Sequence, residues 1–298
     1  MNRIRAPKKI VFFIYLAPII IFFCFVVILP IIYAVYYSFF DWSGGPLRTF
    51  SGLDNYRELA ADGIFWKSFG NNLYITVLCI IGQIGTAFVF AMMLNSRIAR
   101  FKGIHRVLCY FPVTLSAVVI GFIWSMIYDF RFGMLNGLLR TFGRADLRQA
   151  WLSNNDLVLT LASIPIIWQF IGFYMVIFLS ALTSIDTHVM EMAELDGASG
   201  FQRMVHIVMP LMKNTFGVAL ILCISGNMKT FDHIFVMTGG GPGTATTTMA
   251  MYAYNVSFLR HNMGYGHAIS IGILALSFTL IVGARGIMRL LTRDEEIA

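Results

Sequence analysis

Residues 10–40 read IVFFIYLAPIIIFFCFVVILPIIYAVYYSFF, thirty-one consecutive positions without a formal charge. A helix needs roughly 20 apolar residues to cross about 30 Å of hydrocarbon, so this run is long enough to span a membrane. It follows the basic stretch RIRAPKK at 3–9. The apolar core of a secretory signal is only about 7–15 residues long and ends at a small-x-small exit, which is missing here, so the run reads as an uncleaved first span.

Uncharged runs recur at 68–96, 107–128 and 157–185. Each is long enough to cross. A fifth run, 214–238, is interrupted by Lys229 and Asp232, and a sixth covers 266–284. The chain of 298 residues is 58% apolar and 12% charged, with a mean hydropathy of +0.74. Soluble domains carry roughly a quarter charged residues, so an ordinary soluble protein is excluded. No loop is long enough to hold a folded soluble domain. The expected fold is all-α, a polytopic membrane protein with six transmembrane helices, and residues 1–298 form a single transmembrane domain.

Lysine and arginine near span ends favour the cytoplasmic side. With both termini cytoplasmic, the inner segments hold thirteen such residues, among them Arg3, Arg5, Lys8, Arg97, Arg100, Lys102, Arg106, Lys213 and Arg285, and the outer loops hold eight. The net charge of +7 is therefore a topology signal. A nucleic-acid partner has no concentrated basic patch to bind. Cys24, Cys79, Cys109 and Cys223 fall within spans and read as packing residues. The six histidines show no zinc-protease spacing, and no metal site is expected.

One stretch breaks the apolar pattern: EMAELDGASGFQRMVHIVMP at 191–210 gathers Glu191, Glu194, Asp196, Arg203 and His206. Ser184, Asp186 or Thr187 can cap a short helix before it, and Gly197 ends that helix. Phe201, Val205 and Val208 recur at helical spacing, which predicts a second short helix returning to the membrane near Pro210. A helix–bend–helix knob of this kind suits docking into a cytoplasmic partner, with Met190, Met192 and Leu195 for apolar contact and Glu191 for an ion pair. The acidic residues disfavour a segment lying on an anionic leaflet.

The spacing of Glu191, Ala193, Asp196, Gly197, Ala198, Ile207 and Pro210 resembles the EAA loop of binding-protein-dependent ABC transporter permeases. FSGLDNYRELAADGIFWKSFGNNL at 50–73 and VMTGGGPGTATTT at 236–248 are similar to the sugar branch of that family, in particular its maltose-type first permease subunit. The resemblance covers essentially the whole chain. Met192 stands where the family usually has Ala, Asp186 where Pro is common, and Met209 where Leu usually precedes the proline. The resemblance implies that the loop, about 184–214, is a coupling element for a cytoplasmic ATPase, formed by Glu191, Ala193, Asp196, Gly197 and Ala198. It also implies a second permease subunit, an ATPase homodimer that binds ATP and magnesium, an external or periplasmic solute-binding protein, and a place in the inner membrane.

The residues agree on the source of energy. No G-x-x-x-x-G-K-[ST] phosphate loop is present, and TGGGPGTATTT has no lysine to reach a phosphate. The chain is expected to be no enzyme and to hold no cofactor of its own. An ion-coupled carrier, the alternative from another class, needs acids or histidines at mid-membrane. Spans one to four have none, and Lys229 with Asp232, three apart on one helical face, reads as a pair that satisfies itself.

A sugar site combines aromatic faces with amides. IPIIWQFIGFYMV in span four supplies Trp168, Gln169, Phe173 and Tyr174, and span five supplies Asn227. By the resemblance, Asn227 stands where the maltose-type permease contacts sugar, and Phe173 and Cys223 stand at or near further contact positions. The expected cargo is a sugar or oligosaccharide, with glycerol phosphate and polyols as the alternative within the family.

Overall fold

A computed structural model describes residues 9–96 and 100–293, with side chains over 15–96 and 100–288. Arg3, Arg5, Lys8 and Arg97, on which part of the charge asymmetry rests, lie outside the described residues. The chain divides into two compact units, one of residues 9–62 with 253–272 and one of residues 63–252 with 273–293.

In the first unit, helix α1 covers 9–37, with a π turn at Cys24–Ile28. It leads into an antiparallel hairpin of β1 (Phe40–Trp42) and β2 (Arg48–Phe50), in which Phe40 faces Phe50 and Trp42 faces Arg48. This hairpin is a small departure from the all-α expectation. It forms because aromatic residues pack well on a pleated surface and because Gly44, at φ 94°, supplies the positive dihedral that its turn needs. Helix α2 (Asp54–Ala61) follows, and Asn55 donates to the carbonyls of Ser38 at 2.8 Å and Phe40 at 3.0 Å, tying α2 to the end of α1. The Trp42 indole stacks at 4.3 Å on Tyr37 and at 6.0 Å on His267.

The second unit is built around α3 (Gly63–Asn95) and α7 (Val158–Thr183). Between them lie α4 (Lys102–Thr114), α5 (Ala117–Ile127) and the short α6 (Met134–Thr141). After α7 come α8 (Thr187–Leu195), α9 (Gly200–Leu211), α10 (Lys213–Asn227) and α11 (Asp232–Thr238). Helix α12 covers 249–259, and α13 (Met263–Arg293) ends the described chain. Four of these helices are long and apolar enough to cross a membrane, or up to six if each bent pair counts as one span.

The core of the second unit is an aromatic seam where α3, α7 and α10 meet. Phe178 lies 5.7 Å from Phe88 and 4.7 Å from Phe216, and Phe88 lies 5.1 Å from Phe216. Close helix approach depends on small residues, as it does generally in membranes. A Cβ on Gly172 of α7 would run into the Cys109 carbonyl of α4, so only glycine fits there.

Two of the expected spans are not straight. Residues 107–128, expected as one helix, are α4 and α5, which meet at 97°. Pro112 sits in a 3-10 turn, and Ser116 caps α5 by accepting from the Val118 amide at 3.3 Å. The freed Leu115 carbonyl accepts from Gln169 at 3.0 Å. Backbone irregularity at membrane depth needs such substitutes for the lost helical bonds. The second bent pair is α9 and α10, which meet at 70°. The fifth run is also broken within itself: α10 ends at Asn227 and α11 begins at Asp232. Lys229 and Asp232 therefore do not share one helical face. Inside α7, Pro165 has no N–H for the Leu161 carbonyl, and the Tyr128 hydroxyl donates to that carbonyl at 3.2 Å instead.

Candidate functional site

The break in the fifth run opens a cavity of about 500 Å³. Phe170, Phe173 and Tyr174 of α7 line it, with Gln83 of α3, Asn227 and the chain from Lys229 to His233. The break is held from outside. Asn72 donates to the Asn227 carbonyl at 2.8 Å and accepts from the Met249 amide at 2.9 Å, so one side-chain amide bridges the end of α10 and the start of α12. Its neighbour Asn71 donates to the Thr247 carbonyl at 2.9 Å. The two stretches 50–73 and 236–248 thus meet physically, since Asn71 and Asn72 end the first and the Gly/Thr loop ends the second.

The predicted site residues separate into layers. Asn227, Phe173 and Tyr174 line the cavity. The Asn227 amide donates to the Cys223 carbonyl at 2.8 Å, and among the described residues its Oδ1 has no protein partner. Cys223 stands one helical turn away, fully buried, with its thiol 3.5 Å from Gln83 Oε1, so it backs the cavity without lining it. Gln169 also lies behind. Its amide nitrogen is engaged at Leu115, so its Oε1 faces His233 Nε2 at 2.7 Å, which makes Nε2 the donor. Trp168 is 40% exposed and packs edge-on against Trp124 at 6.1 Å, away from the cavity.

Sequence reasoning missed Gln83 and His233. The one glutamine in the uncharged run 68–96 was the signal for Gln83: at 1% exposure it donates to the Ile166 carbonyl at 2.9 Å. Lys229 and Asp232 both line the cavity and are exposed. Among the described residues neither has an ion-pair partner within 4.0 Å, so the self-satisfied pair expected from the sequence does not form. The helix break separates them. Among the described residues, no three His, Cys, Asp or Glu side chains group to hold a metal.

The polar stretch 184–214 is a second candidate surface. Asp186 caps α8, accepting from the His188 amide at 2.9 Å. Gly197, at φ 79°, ends the helix: its own amide bonds to the Glu194 carbonyl at 3.1 Å, and the Ala198 amide to that of Ala193 at 3.0 Å. This is a Schellman ending, which only a residue tolerant of positive φ makes without strain. Ser199 and Gln202 then form a capping box that starts α9. Arg203 reaches back to Glu194 at 2.9 Å and locks the two helices together. Glu191 is exposed beside His188.

Met192, Leu195 and Phe201 are exposed at 58%, 87% and 71%. Met190, expected on the docking face, is instead partly buried against the core, and Ala193 is buried. Phe201 does not share a buried face with Val208, because a π turn at Met204–Val208 shifts the helical phase and Phe201 sits in the first turn, away from the core.

Comparison with known proteins places this arrangement. The chain is 32% identical over 275 residues, 92% of its own length and 94% of the other's, to the probable ABC transporter permease protein YurN of Bacillus subtilis (strain 168). It is 28% identical to the multiple sugar-binding transport system permease protein MsmF of Streptococcus mutans, covering 88% of this chain and 87% of that one. Its fold matches, at a TM-score of 0.82 and 21% identity, a chain of a bacterial ABC transporter involved in the import of the acidic polysaccharide alginate, with 95% and 96% of the two chains covered. Residues 83–295 match the family model for binding-protein-dependent transport system inner membrane components. A capped, glycine-bent knob and a helical run broken around an aromatic and amide cavity are thus carried by a permease subunit of the ABC class, which is no enzyme by itself, and this chain belongs to the binding-protein-dependent inner membrane component family.

Proposed function

We propose that this permease passes a sugar or oligosaccharide through the cavity beside Asn227, driven by ATP hydrolysis in a separate ATPase. The observation that carries the reading is the cavity itself. Aromatic faces at Phe170, Phe173 and Tyr174 suit the C–H surface of a sugar ring, and the open Oδ1 of Asn227 suits a hydroxyl donor. At about 500 Å³ the cavity is of ligand size. In this reading the chain crosses the membrane six times with both termini cytoplasmic, each bent pair counting as one span. It pairs with a second permease, and an external solute-binding protein delivers cargo. The knob at Glu191, Ala193, Asp196, Gly197 and Ala198 docks into an ATPase homodimer, whose ATP and magnesium stay on that partner. Met192, Leu195 and Phe201 supply the apolar part of the contact.

Asn227→Leu tests the cavity in the assembled complex. It keeps similar bulk and removes the amide, so substrate-dependent transport is expected to fall about tenfold or more, the cost of a hydrogen bond to a partner left unpaired. Complex yield and basal ATP hydrolysis stay near normal. Lost yield with retained specific transport would make Asn227 a packing residue. Uptake by this chain reconstituted alone under a proton or sodium gradient would replace the ATP-driven reading with a carrier.

A further inference from the structure

At the opposite end of α10 from the cavity break, Lys213, Gly217, Val218 and Ile221 face Arg285 and Met288 of α13 across a concavity of about 370 Å³. Both cations mark a membrane boundary. Lys213 precedes the uncharged run 214–228, and Arg285 follows the uncharged run 268–284. Among the described residues neither cation has an ion-pair partner, and no acidic residue lines the concavity. Gly217 makes the room: a Cβ there would stand 2.6 Å from the Met288 methyl carbon. Below the cations the wall turns apolar through Val218 and Ile221. The eight helical steps from Lys213 to Ile221 rise about 12 Å along the helix, which is the depth of a headgroup plus the first part of an acyl chain.

A ligand that fits has an anion at one end and hydrocarbon at the other. A small water-soluble anion would leave the apolar wall unused. We infer that this concavity binds an anionic glycerophospholipid from the leaflet on the knob side, with its phosphodiester between Lys213 and Arg285 and an acyl chain against Val218 and Ile221. Basic pockets between helix ends are a recurrent way to hold such headgroups.

The test uses the full chain in detergent, titrated with dioleoyl phosphatidylglycerol or dioleoyl phosphatidylcholine and read by native mass spectrometry. The wild type is expected to retain phosphatidylglycerol in preference. Removing one cation, by Lys213→Gln or Arg285→Gln, should weaken retention roughly fivefold, and removing both roughly 25-fold, since each cation near an anionic lipid contributes on that scale. The exchange Lys213→Arg with Arg285→Lys keeps both charges and should keep the lipid. A photoactivatable phosphatidylglycerol on the wild type, which needs no variant to fold, should label peptides containing 217–221 or Met288. Equal retention of the two lipids, an undiminished preference in the double variant, or labelling confined to other helices would each overturn the inference. Displacement by sn-glycerol 3-phosphate at matching concentration would also overturn it, because the site would then serve a soluble phosphate.

Discussion

Helices α1 and α7 look alike in sequence and differ in what they do. The span Tyr15–Tyr37 has a mean hydropathy of 2.9 and Val158–Thr183 one of 1.9, yet none of the first is buried within the chain and 44% of the second is. The more apolar helix is the one left bare. In a membrane, lipid tails are as apolar as leucine, so hydrophobicity does not choose which helix goes inside. The features that do choose are visible on α7: Gly172 for close approach, Phe178 for the aromatic seam, Gln169 for the carbonyl of a broken neighbour, and Pro165 with its carbonyl answered by Tyr128. Helix α1 also contains a proline, Pro18, but its surface at Phe22, Phe23 and Phe25 is exposed.

That contrast can be broken by substitution, and unfolding of the full chain in detergent reads each case. Gly172→Leu should have the largest effect, since the new side chain meets the α4 backbone. Overpacking costs about 1–3 kcal/mol where side chains can give way, and a backbone carbonyl gives way least, so loss of folded protein is expected. Wild-type unfolding of this variant would disprove the close approach of α4 and α7. Phe178→Ala should cost about 3 kcal/mol or more by emptying the seam between Phe88 and Phe216. A change under about 1 kcal/mol there would mean that the seam packs no better than α1 does.

Tyr128→Phe isolates a single polar duty on α7. It leaves the Leu161 carbonyl without its substitute donor and should cost about 1 kcal/mol, with ring packing retained. No change would show that Pro165 needs no such answer. The smallest effect is expected on α1, where Phe22→Ala should shift stability by no more than about 0.5 kcal/mol. A larger loss would show that α1 is packed within this chain after all, and the comparison would collapse.

The knob was legible in sequence because its signals are local. Asp186 is a capping residue, and Gly197 lies where a helix must end with positive φ. The lock between Glu194 and Arg203 was less legible, because their spacing of nine residues follows no helical rule until the bend at Gly197 brings them together. In the cavity, Asn227, Phe173 and Tyr174 stood out as polar or aromatic residues in apolar runs, and they do line it. Trp168 had the same signal and faces away, because position on α7 rather than residue type decides which side a ring takes.

By itself the sequence determined the membrane class, the apolar runs, the helix caps and the family, since these depend on length, local charge and fixed spacing. The breaks at Leu115 and at 228–231, the burial of α7 and the exposure of α1, and the joining of Asn71 to Thr247 and of Asn72 to Met249, each more than 170 residues away, were decided by tertiary structure alone. The physical reason is that a backbone group without a helical partner must find a side chain somewhere in the fold. Which side chain reaches it depends on how distant helices pack, and no local pattern carries that information.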